Sequence, residues 1–252
     1  DEVFEDPSPL RFIGLCRNAT NQVDIEAAKA RGVVVANTPG RNANAVAEMT
    51  IGLAFALARR IPEAHSYVSS GGWEDPLTPY TDLRGTELSG KTLGVVGLGA
   101  IGKRVARLGH ALGMRVLGYD PYATAPKYVA MSPFDELLSN SNLVTLHVPE
   151  TPETIGMLNR ERLALMQSTS YLINTASAAL IDEAALVDAL KAGGIAGAAL
   201  DVYETHPVVP SNPLLKLNNV VLTPHIGGAT AETVQRYSQM ITRDLLRFAR
   251  QG

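Results

Sequence analysis

The chain has 252 residues, with 22 basic against 25 acidic side chains and a formal net charge of -3. That length allows one large or two ordinary domains with a substantial core, and so even a balance argues against nucleic acid and anionic membrane as partners. The single cysteine, Cys16, excludes an internal disulfide, and no run of about 18 apolar residues offers a membrane span, so a cytoplasmic protein is expected.

Residues 1–10 are acidic and proline-bearing and read as an irregular lead-in. Residues 11–16 predict a strand in which Cys16 is half-buried, 25–30 a short helix stopped by Gly32, and 33–36 a second strand. Two strands and one helix cannot cover both faces of a parallel sheet, so they are pieces of an α/β layer. Arg17, after the first strand, reads as a solvated loop arginine. A turn cluster at 37–41 leads into 43–60, which is rich in small apolar residues and predicts a helix buried between domains or subunits. Residues 66–90, punctuated by Gly71-Gly72, Pro76, Pro79 and Gly85, read as an excursion over the surface anchored by Trp73.

Leu93-Gly94-Val95-Val96 is an apolar strand run that flows into Gly97-x-Gly99-x-x-Gly102. Ile101, Val105, Leu108 and Leu112 then recur on one helical face. Gly97 permits a tight turn, Gly99 removes the side chain that would hold a pyrophosphate away, and Gly102 lets the helix lie close on the strand. A phosphate there meets backbone N–H groups and the positive end of a helix dipole. A second apolar run, 116–119, ends in Asp120, placed to accept hydrogen bonds from an adenosine ribose; its charge and the absence of arginine in Pro121-Tyr122 favour NAD over NADP.

Further strands are expected at 143–148, 171–174, 196–202 and 220–223, with helices near 133–140, 159–166 and 182–192. Asp182 caps the last of these and Gly193-Gly194 ends it; Thr230 caps a final helix carrying Val234, Tyr237, Ile241, Leu245 and Phe248. The alternation predicts an α/β fold with a doubly wound parallel (Rossmann) sheet. Ligands of such sheets lie beyond the carboxyl ends of the strands. The residues there are Asp120, His147-Val148-Pro149, Asn174-Thr175-Ala176-Ser177, Asp201 and Thr223-Pro224-His225. His225 stands out, because it precedes the flexible Ile226-Gly227-Gly228 turn and imidazole suits proton transfer near neutral pH. His65 and His110 read as helix-surface or packing residues, His147 as structural more than catalytic, and His206 is open.

With Thr38-Pro39-Gly40, the glycine turn, His147-Val148-Pro149, Ile173-Asn174-Thr175-Ala176, Asp201-Val202-Tyr203 and Thr223-Pro224-His225-Ile226-Gly227-Gly228, the chain from about Arg11 onward resembles the D-specific 2-hydroxyacid dehydrogenases, particularly their phosphoglycerate dehydrogenase-like branch. The resemblance implies hydride exchange between NAD(H) and a 2-hydroxy/2-oxo acid, commonly in a homodimer. It also implies a Rossmann domain, 43–231, inserted in a flavodoxin-like substrate domain, 1–42 and 232–252, that is N-terminally incomplete. Carried over by position, Gly97, Gly99, Ala100, Ile101 and Gly102 surround the pyrophosphate, and Asp120 meets the ribose. His147, Pro149, Thr175, Ala176 and Gly228 belong to the cofactor cleft, Asp201 lies near the nicotinamide carboxamide, and His225 is the acid/base. No metal is implied.

Two positions depart from the family's pattern. Ser177 stands where an arginine clamps the substrate carboxylate, and His206 where a glutamate supports the histidine. A charge-assisted hydrogen bond is worth about 1.5–3 kcal/mol, so one neutral hydroxyl is a weaker clamp. A second expectation, favoured by these departures, is a catalytically impaired NAD(H)-binding regulatory or scaffold homologue.

Overall fold

The computed structural model describes residues 9–251. Within them the chain forms two units, Val46–Gly227 and a smaller one made of the chain through Ala45 and from Gly228 onward. The lead-in expected at 1–10 lies outside the described residues, apart from Pro9 and Leu10, which belong to no regular element.

In the smaller unit, β1 (Phe12–Leu15) and β2 (Val34–Asn37) pair in parallel, with α1 (Ile25–Ala30) as their crossover. Asp24 caps α1, its carboxylate accepting from the Ala27 N–H at 2.9 Å. The long helix α9 (Ala231–Gln251) packs on β1. Gly14 makes this possible, since a Cβ there would lie 2.6 Å from Ile241 Cγ2. The rings of Phe12 and Phe248 meet at 5.5 Å. The Thr230 hydroxyl caps α9 by accepting from the Thr233 N–H. Cys16 is a correction: it falls just past the end of β1 and is exposed, not half-buried in the strand. Arg17 is exposed, as a loop arginine should be.

The larger unit is built on seven parallel strands: β3 (Thr92–Val96), β4 (Arg115–Tyr119), β5 (Val129–Met131), β6 (Leu143–Leu146), β7 (Tyr171–Asn174), β8 (Gly197–Leu200) and β9 (Val220–Leu222). Their order across the sheet is 5-4-3-6-7-8-9, so the direction of winding reverses between β3 and β6. Alternation along each strand feeds two cores. Val96, Val144, Leu146 and Leu172 meet α6 (Phe134–Asn140) and α8 (Glu183–Lys191) on one face. Leu93, Val95 and Ile173 meet α2 (Ala43–Ala58) and α5 (Gly102–Ala111) on the other. Burying each such side chain contributes about 1.5–3 kcal/mol, and burial on both faces explains why these strands read as unbroken apolar runs. Asp182 caps α8, accepting from the Ala185 N–H at 2.9 Å.

The helix expected at 43–60 is α2, with Asn44, Glu48 and Gly52 forming an exposed strip along it. Expectations for other segments are corrected. The excursion at 66–90 is partly helical: α3 spans Ile61–Ser69 and α4 spans Thr78–Asp82, each with a proline in its first turn, where the missing N–H costs nothing. Trp73 stays 59 % exposed, which is not the burial of an anchor. The strand β5 has only three residues, too few to show a period, and the helix expected near 159–166 shrinks to α7 (Arg160–Leu163).

Candidate active site

In-register pairing lines up Tyr119, Val96, Leu146, Asn174, Leu200 and Leu222 across the sheet. The residues that follow them, from Gly97 and Asp120 through His147, Thr175 and Asp201 to Thr223, therefore emerge along one carboxyl edge. This is the row that the sequence singles out.

Gly97 leaves β3 with φ +91°, a left-handed conformation, and a Cβ there would stand 2.7 Å from the His147 carbonyl. A Cβ on Gly102 would collide with the carbonyl oxygen of Gly97, whereas one on Gly99 would meet nothing. The N–H groups of Gly99, Ala100 and Ile101 find no acceptor among the described residues, and they stand at the start of α5. Unpaired donors, a helix N-terminus and an open approach fit a dinucleotide diphosphate.

Asp120 does more than the sequence suggests. One oxygen accepts from the Leu98 N–H at 2.7 Å, and the other from Tyr122 and Ala123 at 2.8 and 2.9 Å. Partial burial pushes its pKa upward, but these three donors and the Lys103 cation outweigh it, and the carboxyl titrates below its ordinary range. The acid therefore holds the glycine turn while remaining charged.

His147 turns inward. Its Nε2 lies 2.9 Å from the Thr145 hydroxyl, and its Nδ1 is sealed off with no partner among the described residues. Burial drives its pKa down to about 3, so the ring is neutral. Pro149 is exposed, and its carbonyl accepts from the Thr154 hydroxyl at 2.7 Å. The Thr175 hydroxyl lies 3.3 Å from that of Thr50 on α2, and the Ala176 N–H donates to Asn174 at 3.0 Å.

At the β8 and β9 tips, Asp201 is 1 % exposed and takes three donors. The Thr223 hydroxyl and the Ile226 N–H reach one oxygen at 2.6 and 2.9 Å; the Gly227 N–H reaches the other at 2.7 Å. Between those anchors His225 is held at φ +56° with its ring exposed. Its Nδ1 lies 3.0 Å from Nε2 of His206. The Tyr203 hydroxyl donates to the Thr223 carbonyl at 2.9 Å, tying this turn to the His206 loop. A cavity of about 450 Å³ opens here, walled by Glu150, Ser177, Tyr203, Glu204, His206 and His225. Ser177, His206 and His225 thus share one cavity. Gly228 lies in the smaller unit, where a Cβ would stand 2.9 Å from the Asn42 amide nitrogen.

Residues 51–227 match the family described as D-isomer specific 2-hydroxyacid dehydrogenase, NAD binding domain. The chain belongs to that family. Among its dehydrogenase relatives, a D-3-phosphoglycerate dehydrogenase of Archaeoglobus fulgidus is 43 % identical over 253 residues, covering 99 % of this chain and 47 % of that protein. A glyoxylate reductase of Thermofilum pendens is 44 % identical over 250 residues, covering 97 % of this chain and 74 % of the relative. The chain thus spans about half the length of the first and three quarters of the second. In structure it is similar to the D-lactate dehydrogenase with NAD+ from Lactobacillus jensenii, with a TM-score of 0.86 at 31 % identity, covering 95 % of this chain and 76 % of that one.

Within this NAD-binding domain of the dehydrogenase family, sequence reasoning overlooks Lys103 and Glu150. Lys103 acts electrostatically on Asp120, a reminder that the first turn of α5 supplies a cation where Pro121-Tyr122 does not. Glu150 accepts from the Ser177 hydroxyl at 2.7 Å although 27 residues separate them. Only the adjacency of the β6 and β7 tips signals that contact.

Proposed function

We propose that this chain moves hydride between NAD(H) and a 2-hydroxy/2-oxo acid pair, with His225 as the acid/base. The observation that carries the reading is an exposed imidazole locked in a left-handed turn by Asp201 and backed by a second imidazole at the rim of a cavity. When bound, NAD supplies the nicotinamide carbon that accepts or returns hydride. The Gly99, Ala100 and Ile101 N–H groups hold the diphosphate, Gly97 and Gly102 shape the turn, and Asp120 keeps lone pairs for ribose hydroxyls. We assign further cofactor contacts to Pro149, Thr175, Ala176, Asp201 and Gly228, and to the backbone of His147, since its ring faces inward.

In oxidation, Nε2 of His225 takes the hydroxyl proton while the C–H electron pair leaves as hydride; in reduction the same nitrogen returns the proton to the carbonyl oxygen. His206 accepts the Nδ1 proton of His225 and so keeps Nε2 available for substrate. Ser177 places a neutral hydroxyl where the family's pattern has a guanidinium, and to serve the substrate it must give up its hydrogen bond to Glu150. In domain terms, 43–231 is the NAD-binding part and 1–42 with 232–252 contribute to the substrate part. A cytoplasmic homodimer fits the lone cysteine and the exposed strip of α2. Among the described residues no helix is long and apolar enough to cross a membrane.

A second reading, an NAD(H)-binding regulatory or scaffold homologue without turnover, is favoured by one observation: the Ser177 hydroxyl is already committed to Glu150. NADH binding followed by fluorescence, then NADH oxidation against a panel of 2-oxo acids, separates the two. We expect binding and oxidation of at least one acid; tight binding with no oxidation on any selects the second reading. The double substitution Ser177→Arg with His206→Glu is expected to raise turnover, and no change rejects the roles given to these positions.

A further inference from the structure

We propose that Glu150 is a specificity-determining residue that selects, among 2-oxo acids, those whose side chain carries a cation. The inference rests on the dehydrogenase reading above for the cavity's role, and on the cavity's own charge for the selectivity. Glu150 and Glu204 both line it, and no lysine or arginine among the described residues does. Ser177 does not compensate, because its hydroxyl donates to Glu150, a cavity-lining carboxylate that still has lone pairs to accept with.

The two imidazoles do not reverse the sign. A hydrogen bond between Nδ1 of His225 and Nε2 of His206 requires one nitrogen to accept, and an imidazolium has no free acceptor. At least one ring is therefore neutral, the pair brings at most one positive charge, and the two carboxylates leave the wall negative. Tyr203 adds a phenol that burial and the Asp201 carboxylate keep protonated. A second carboxylate on a substrate meets repulsion here, whereas a guanidinium finds the planar acceptor geometry it pairs with best.

The test is calorimetric binding of three 2-oxo acids to the protein–NADH complex: 2-oxo-5-guanidinopentanoate, 2-oxopentanoate and 2-oxoglutarate. The guanidinium compound is expected to bind at least about tenfold more tightly than the dicarboxylate, a gap that narrows with added salt. Glu150→Gln should compress that ratio at least about threefold, the share of the attraction a single charge contributes. Glu153→Gln, which alters an exposed neighbour outside the cavity, should leave the ratio in place. Equal or tighter binding of the dicarboxylate, an unchanged ratio in Glu150→Gln, or binding of none of the three overturns the proposal. NADH oxidation is followed separately: the expected binding order without oxidation removes the dehydrogenase reading and leaves the selectivity standing.

Discussion

Nε2 of His206 and Nδ1 of His225 lie 3.0 Å apart, with the rings tilted by 49°. An imidazole thus stands where it can hydrogen-bond to His225, and where its Nε2 accepts from Nδ1 it fixes the tautomer that leaves Nε2 of His225 free for substrate. Replacing His206 by alanine should lower kcat by about 10²-fold, with NADH affinity unchanged. His206→Gln should recover part of that loss, because its amide oxygen accepts the same proton. His225→Asn should abolish turnover. Steady-state kinetics with parallel NADH titrations check all three.

The glycine turn separates folding from binding. Gly99→Ala meets open space and should leave the thermal midpoint within about 2 °C. It should nevertheless weaken NADH at least about tenfold, because the new methyl stands where the diphosphate approaches. Gly102→Ala drives a methyl into the Gly97 carbonyl and should cost about 1–3 kcal/mol in urea denaturation.

Asp120→Ala removes both the proposed ribose acceptor and the anchor of Leu98, Tyr122 and Ala123. NADH should weaken by about 1.5–3 kcal/mol. NADPH should lose less, since the carboxylate that repels its phosphate is gone and Lys103 remains. Fluorescence titration with both cofactors gives the ratio; equal losses reject ribose contact.

Asp201 is buried with three donors, so Asp201→Ala strands the Thr223, Ile226 and Gly227 groups and releases the turn that strains His225. A loss of about 3 kcal/mol is expected, together with loss of turnover that exceeds the loss of NADH binding.

His147 gives the pH prediction. Its folded pKa, about 3, lies below the ordinary 6.5, so between those values the unfolded chain binds the proton that the folded one refuses. Stability from this site is complete above pH 6.5 and declines on acidification through the window, by at most about 1.4 kcal/mol per pH unit. His147→Gln should flatten that dependence in urea denaturation at pH 7, 6 and 5.

Much of this was legible along the chain because it is local. Strand-turn-helix at 93–112, the caps at Asp182 and Thr230, and the parallel order all follow from residue type and period within a few turns of backbone. Pro79 misled because the same residue that breaks a helix interior opens a helix. What sits across the strand tips was another matter. Ser177 reaching Glu150, Lys103 facing Asp120 and Asp201 clamping the turn at 223–227 join residues brought together only by strand register and loop path. Sequence determined which chemistries arrive at the carboxyl edge; packing alone decided which of them touch, because a side chain's neighbours across a sheet are set by distances that no local pattern encodes.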